Sequence, residues 1–408
     1  MEPESFEKTI HVRLKYIYIF FLFLLGQGLA AQKAFKQIKS NLKSGKAVEA
    51  LSEIKALAAD SSWTGDPRLY VLGVEANLLL YAAQNEKAYL KQQMDTAAFF
   101  SSTYGVCDYV LRTDSADREQ LVRGGKLKYR ARNAGWIVGY YSNLEKAIIY
   151  YFRKKNYVEA ERFAALCLKV SDSDLWRSIP DAPGIKRDYL AMRYVQCCYL
   201  QNKYAQVVEA SELALKDSLH RRLTLEYLAL SYKELGDTER YEQTLHEAVA
   251  DFPGYLPFFS YLLEKLLEEG RNEEALAFCD SLIVRMGADK ELLYGKCLSL
   301  LALGRWENLI AVSEKVLELD SEEKMANYFI GLSWCNLASA VRLPASITSK
   351  TYKEAQAQQR KYYQFALPHL ERYREGCPDD KDRWAPLLYQ AYLALNMGKK
   401  FEEIQKIM

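Results

Sequence analysis

The sequence predicts an all-α fold, a solenoid of antiparallel helix pairs, and three observations carry that expectation. Gly236, Gly270 and Gly304 stand at a fixed interval of 34 residues. Each glycine follows one apolar run of helical spacing and precedes another: Leu225, Leu228, Ala229 and Tyr232 lead to Gly236, and Leu245, Ala248 and Pro253 come after it. A helix–turn–helix unit repeating at this period marks a stacked array. Finally, the 408 residues are 50% hydrophobic and 26% charged, which is globular chemistry rather than disorder. A single core strains at this length. A stack of repeats does not, because each hairpin buries its apolar face only against its neighbours.

The next units keep the register with Phe259, Leu262, Leu266, Gly270, Ala275 and Leu282, then with Leu293, Cys297, Leu300, Gly304, Leu309 and Val316. In this pattern the chain resembles the tetratricopeptide repeat family. That resemblance implies a right-handed superhelix whose concave wall is formed by the first helix of each pair. The third unit departs from the family pattern, with Lys296 on the usual apolar face and Leu309 at a usually small site. A finer likeness, in Asp95–Phe100 and in Ala366–Glu371 through Trp384 to Lys399, is to exported tetratricopeptide proteins of Bacteroidota that carry no assigned activity.

Taken in order, residues 1–31 read as a cleavable signal peptide. Lys8, Arg13 and Lys15 precede an apolar run from Tyr16 to Leu25, and small residues follow to Ala30 and Ala31. The run is shorter than the roughly 20 residues of a spanning helix, so the expectation is an exported, periplasmic or surface-associated protein with no membrane span after cleavage. Residues 32–112 read as N-terminal hairpins. Gly45 is the first turn, Asp66-Pro67 starts a helix, and residues 81–93 exceed a repeat turn and should project or lengthen the helices. Residues 113–142 fit the repeat poorly and read as a linker or irregular helix. Their Arg118, Arg123, Lys126, Lys128, Arg130 and Arg132 suit either a solvated face or an acidic or phosphate ligand. The array resumes at 143 and runs to 408. It has a loop over 171–184, an insertion near 341–359 after which the partner helix resumes near Tyr363, a helix ended by Gly398, and a short closing helix.

Charge and cysteine usage exclude several functions. A formal net charge of +2 gives no footprint for nucleic acid. The eight cysteines show no zinc spacing and read mainly as buried thiols, with Cys279–Cys297 the one bridge that neighbouring helices would allow. Of four histidines, His11 lies in the signal, and His220, His246 and His369 lack ligand spacing. No catalytic or dinucleotide motif occurs. Neither an enzyme activity nor a cofactor or metal is expected.

Recognition is the expected role, with a protein or peptide partner in the cell envelope. Carried over from the family by position, the concave wall comprises Tyr189, Met192 and Tyr199, then Glu226, Leu230 and Lys233, then Ser260, Glu264 and Leu267. It continues through Tyr294, Leu298 and Leu301 to Tyr328, Leu332 and Cys335, and ends at Tyr389 and Tyr392. From Tyr294 onward these positions are apolar and aromatic with few charges, which suits partner contacts and does not suit a carboxylate clamp. A self-filled groove, covered by 341–359 or by the C-terminus, is the competing expectation. The alternative function is glycan binding in a nutrient-uptake system, since exposed tyrosines stack on sugars.

Overall fold

The structure, a computed structural model, describes residues 32–59, 63 and 65–407, so the segment read as a signal peptide lies outside the described residues. No strand occurs among the described residues. The chain divides into two compact units, Met1–Asp237 and Thr238–Met408. In the first unit the helices are α1 (32–43), α2 (Ala47–Ala58), α3 (Pro67–Tyr89), α4 (Thr96–Val122), α5 (Arg130–Arg153), α6 (Tyr157–Asp172), the single turn α7 (Asp174–Arg177), α8 (Arg187–Tyr199), α9 (Tyr204–Ala214) and α10 (Arg221–Glu234). The second unit holds α11 (Thr238–Asp251), α12 (Leu256–Glu268), α13 (Asn272–Met286), α14 (Lys290–Ala302), α15 (Trp306–Leu319), α16 (Lys324–Ala340), α17 (Lys350–Gly376), α18 (Lys381–Ala394) and α19 (Gly398–Gln405).

Successive helices pair through one recurrent turn. At Gly270 (φ +71°) the Gly270 N–H reaches the Leu267 carbonyl and the Arg271 N–H reaches the Leu266 carbonyl. Gly304 (φ +64°) repeats this with Leu301 and Leu300. These two bonds satisfy carbonyls that the helix end leaves open, and the left-handed residue between them is most easily glycine. The same bond pair closes turns at Lys155, Asn202 and Asn396, all with positive φ. Asn202 stands 34 residues before Gly236, so the period already present in the glycines extends one unit further back, hidden by a change of residue type.

Each unit builds its own core. In the first, Leu144, Ala147 and Ile148 of α5 meet Phe163 and Cys167 of α6, and the Tyr151 ring stacks on Phe163 at 5.5 Å. In the second, Cys297 and Leu300 of α14 pack with Leu309 and Val316 of α15 and Phe329 of α16. Leu370 and Tyr373 of α17 pack with Trp384 and Leu388 of α18 and Ile404 of α19. The two departures in the third repeat resolve simply: Leu309 is fully buried, and Lys296 turns aside to Asp280 at 2.5 Å. Seven of the eight cysteines are buried free thiols and Cys377 is half-buried. Cys279 and Cys297 do not pair. Their sulfurs lie instead 3.9 Å from Ser299 Oγ and 3.5 Å from Ser313 Oγ.

Several segments differ from expectation. Residues 113–142 form no separate linker: they are the last turns of α4 and the first turns of α5, joined by a short turn. Asp117 clamps that turn by accepting the backbone N–H groups of Lys128 (2.8 Å) and Tyr129 (2.9 Å). Three of the arginines here serve the fold. Arg118 pairs with Asp174, Arg130 bonds Asp114 at 3.1 Å and the Asp174 carbonyl at 2.8 Å, and Arg132 covers the Trp136 ring at 4.6 Å. Residues 81–89 lengthen α3, which begins at Pro67 with Asp66 accepting from Arg68 N–H. In the 171–184 region α6 continues to Asp172, and α7 then buries Leu175 and Trp176 before the chain turns away. The expected insertion is mostly helix. α17 starts at Lys350, capped by Ser349, and its extra turns lie along α16, where Gln359 bonds the Ala338 carbonyl and Trp334 stacks on Tyr362. Finally, α18 ends before Asn396, the left-handed residue, and Gly398 opens α19 instead.

Candidate interaction groove

An apolar cavity of the second unit lies between the first helices of successive pairs. α12 presents Leu256, Phe259, Ser260, Leu263, Glu264, Leu267 and Glu268, and α14 presents Lys290, Glu291, Tyr294, Gly295 and Leu298. Steps of three and four place each set on one helical stripe. Glu323 and Met325, at the start of α16, close one end, and the cavity volume is about 610 Å³. Gly295 fixes the helix spacing, because a β-carbon there would stand 2.5 Å from Phe259 Cζ and 2.8 Å from Leu263 Cδ2. Only glycine lets α14 approach α12 this closely.

The floor is apolar and the rim is acidic. Glu264, Glu268 and Glu291 are exposed, and Glu323 is partly so. Lys290, the cation lining the cavity, is held by Asp320 at 2.9 Å and Glu323 at 3.1 Å. Those hydrogen bonds raise the Lys290 ammonium above its ordinary value and hold the Asp320 carboxyl below its own. Tyr294 lies with its ring 5.8 Å from Phe329, and burial pushes its phenol up.

Of the positions carried over from the family, Ser260, Glu264, Leu267, Tyr294 and Leu298 come together here. The others do not join them. Leu301 packs against the α14–α16 core. Tyr328 lies 5.0 Å from Tyr373 and Tyr389 lies 4.8 Å from Phe401, so both rings face neighbouring helices, while Leu332 is half-buried outside the cavity. Tyr189 and Tyr199 belong to the first unit, where Tyr189 accepts a bond from Arg193 and Tyr199 stacks on Tyr227 at 4.5 Å. Met192, Cys335 and Tyr392 are each only 1% exposed and belong to the core. Met192 sits in a run of buried residues on α8, and Tyr392 donates its hydroxyl to Glu371. The expectation of few charges applies from Tyr294 onward, and most of the charged residues of this cavity lie before that point. Glu268, Glu291 and Glu323 were missed, although Glu268 and Glu291 sit one helical step from Glu264 and Tyr294 and were open to the same counting. The insertion does not fill the cavity: none of residues 341–359 lines it.

A larger recess of about 780 Å³ in the first unit is lined by α2, α3 and α4 with Arg162 of α6, and two of its three cations are engaged. Arg112 bonds Asp108 at 2.8 Å, and Arg162 stacks 4.1 Å from the Tyr104 ring. The three described histidines are also engaged, His220 with Asp217, His246 near Glu242 and His369 with Asn327.

No family model matches this chain, and no curated protein matches it. Among solved structures, the C-terminal part of a TPR repeat-containing protein from Cytophaga hutchinsonii is 16% identical. It covers 64% of this chain and 92% of its own, with a TM-score of 0.43. A tetratricopeptide repeat protein from Parabacteroides merdae is 12% identical, covering 65% and 98%, at 0.37. The TPR domain of P58(IPK) is 15% identical, covering 90% and 99%, at 0.28. With a 34-residue period, antiparallel helix pairs and a left-handed residue closing the turns between them, the described helices have the tetratricopeptide repeat fold.

Proposed function

We propose that this chain is an exported scaffold that holds a protein or peptide segment in the α12–α14 groove and does no chemistry on it. The observation carrying this reading is the cavity itself. Leu256, Phe259, Leu263, Leu267, Tyr294, Leu298 and Met325 form an apolar lining on neighbouring first helices, with polar groups confined to its edge. Such a surface gains free energy by covering large side chains at roughly 25 cal/mol per Å² of apolar area removed from water. A bound sugar would need many hydroxyl partners across the lining, and the lining offers only the Ser260 and Tyr294 hydroxyls between its apolar side chains, so the peptide reading is favoured over the glycan one. Export rests on the basic, apolar and small-residue order of residues 1–31. Mass spectrometry of the protein recovered from its own cells should find a mature N-terminus at Ala31 or Gln32.

The groove is tested by in-cell crosslinking with mass spectrometry on the wild type and on Tyr294→Ala with Leu298→Ala. Tyr328 is not a useful partner for Tyr294 in this test, because its ring packs on Tyr373. Crosslinks from the α12–α14 face to one reproducible protein, weakened about tenfold or more in the double variant at unchanged helical content, are the expected result. Crosslinks that persist undiminished in the folded double variant would place the partner elsewhere and end this assignment.

A further inference from the structure

We propose that the α12–α14 groove selects a segment of another protein in which one or two large apolar side chains are flanked by lysine or arginine. This rests on the groove reading above and adds the chemistry of the occupant. The floor of Phe259, Leu263, Leu298 and Met325 calls for apolar anchors. The rim sets what stands beside them: it is lined by the carboxylates of Glu264, Glu268, Glu291 and Glu323 together with the Lys290 ammonium. That ammonium is already shared between Asp320 and Glu323. Neither Glu268 nor Glu291 has a cation within ion-pair distance among the described residues. Glu264 and Glu268 also stand one turn apart on α12, an arrangement of like charges that a helix on its own disfavours.

The consequence is selection by sign. An acidic segment, a phosphorylated one or a free C-terminal carboxylate meets repulsion from Glu268 on α12 and Glu291 on α14, which supplies the rejecting element of specificity. A segment with cations on either side of its anchors gains attraction from both α12 and α14. Because the rim is exposed, this attraction acts chiefly on encounter and selectivity and weakens with salt.

The test is a display library of random peptides selected on the purified protein at low salt and counted against the folded Tyr294→Ala, Leu298→Ala variant. The expected result is enrichment of apolar cores flanked by Lys or Arg. A representative selected peptide should bind at least tenfold more tightly than its version with Glu flanks. Glu268→Lys with Glu291→Lys should invert that preference while leaving helical content unchanged, and raising salt should narrow it. Enrichment of apolar cores with no charge bias, or with acidic flanks, overturns this inference and leaves the groove reading standing. No enrichment over the double variant overturns the groove reading itself. A concentration-dependent self-association of the protein that Glu268→Lys with Glu291→Lys abolishes would assign the occupant to a second copy and overturn the commitment to another protein.

Discussion

At the level of single residues, the repeat is held by one backbone conformation rather than by one amino acid. Gly270 has open space where a β-carbon would sit, so the cost of Gly270→Ala is conformational and not steric. It should be about 1 kcal/mol. Lys155 holds the same conformation (φ +57°) with an exposed side chain, and Lys155→Gly should stabilise the protein by about 0.5–1 kcal/mol, because relieved strain outweighs the added freedom of the unfolded chain. Urea unfolding of both variants tests the pair. A neutral Gly270→Ala together with a destabilising Lys155→Gly would show that these turns are set by something other than the left-handed residue. The same conformation explains what was legible. Glycine announces itself in a sequence, so three turns and the 34-residue interval could be read directly. Asn202, Lys155 and Asn396 do the same work under side chains that usually mean something else. In the same way, small apolar positions foretold buried cysteines, and burial does push the Cys279 thiol up to about 12 and that of Cys297 up to about 11.

At the level of elements, helix pairs are joined by ion-pair networks as well as by apolar faces. Glu242 of α11 takes Lys265 of α12 at 3.2 Å and Arg271, at the start of α13, at 2.8 Å. Arg271 also holds Glu269 at 3.1 Å and Glu274 at 2.7 Å. Burial works against the Glu242 charge, but the hydrogen bonds from Arg271 and Lys265 outweigh it and hold the carboxyl below the usual carboxylate value. A carboxyl depressed in the folded state contributes stability above its unfolded value and loses it as pH falls through the folded one. Glu242→Gln should therefore cost about 1–2 kcal/mol near pH 7, and the gap to wild type should close below about pH 4, since the unfolded carboxyl titrates near 4.3. A gap independent of pH would assign the effect to packing instead. No spacing rule revealed this network, because its members come from three helices and meet only after folding. Element boundaries were the weakest part of the sequence reading for a related reason. Residues 113–142 and 350–359 have helical propensity without repeat character, and only packing against α3 to α6 or α16 makes them helix. The groove shows the same division. Counting along α12 and α14 located Ser260, Glu264, Leu267, Tyr294 and Leu298, whereas the burial of Met192 and Tyr392 depends on how many neighbours cover each helix.

At the scale of the whole molecule, the chain has two compact units, and in each the core passes from one helix pair to the next. Stability in such an array is close to a sum of local terms and interfaces between neighbours, so damage should stay near where it is made. Leu388 is fully buried among α17, α18 and α19. Removing its side chain in Leu388→Ala leaves a cavity worth about 2–5 kcal/mol. The loss should appear in native-state hydrogen exchange as faster exchange across α16 to α19, while α3 to α6 keep their protection, since local openings draw only on local contacts. Heat or denaturant should then give this variant a transition broader than a single two-state step. Uniform loss of protection over both units would mean that they unfold as one cooperative body. The groove bears on the same point. Most of its floor belongs to α12 and α14, before α16 in the second unit, and only Met325 and Glu323 at the start of α16 reach it from the C-terminal side, so Leu388→Ala should leave most of peptide binding intact at temperatures where α17 to α19 already exchange freely. Joint loss of binding and of C-terminal protection would tie the groove to the end of the array, and the additive picture of this fold would have to be abandoned.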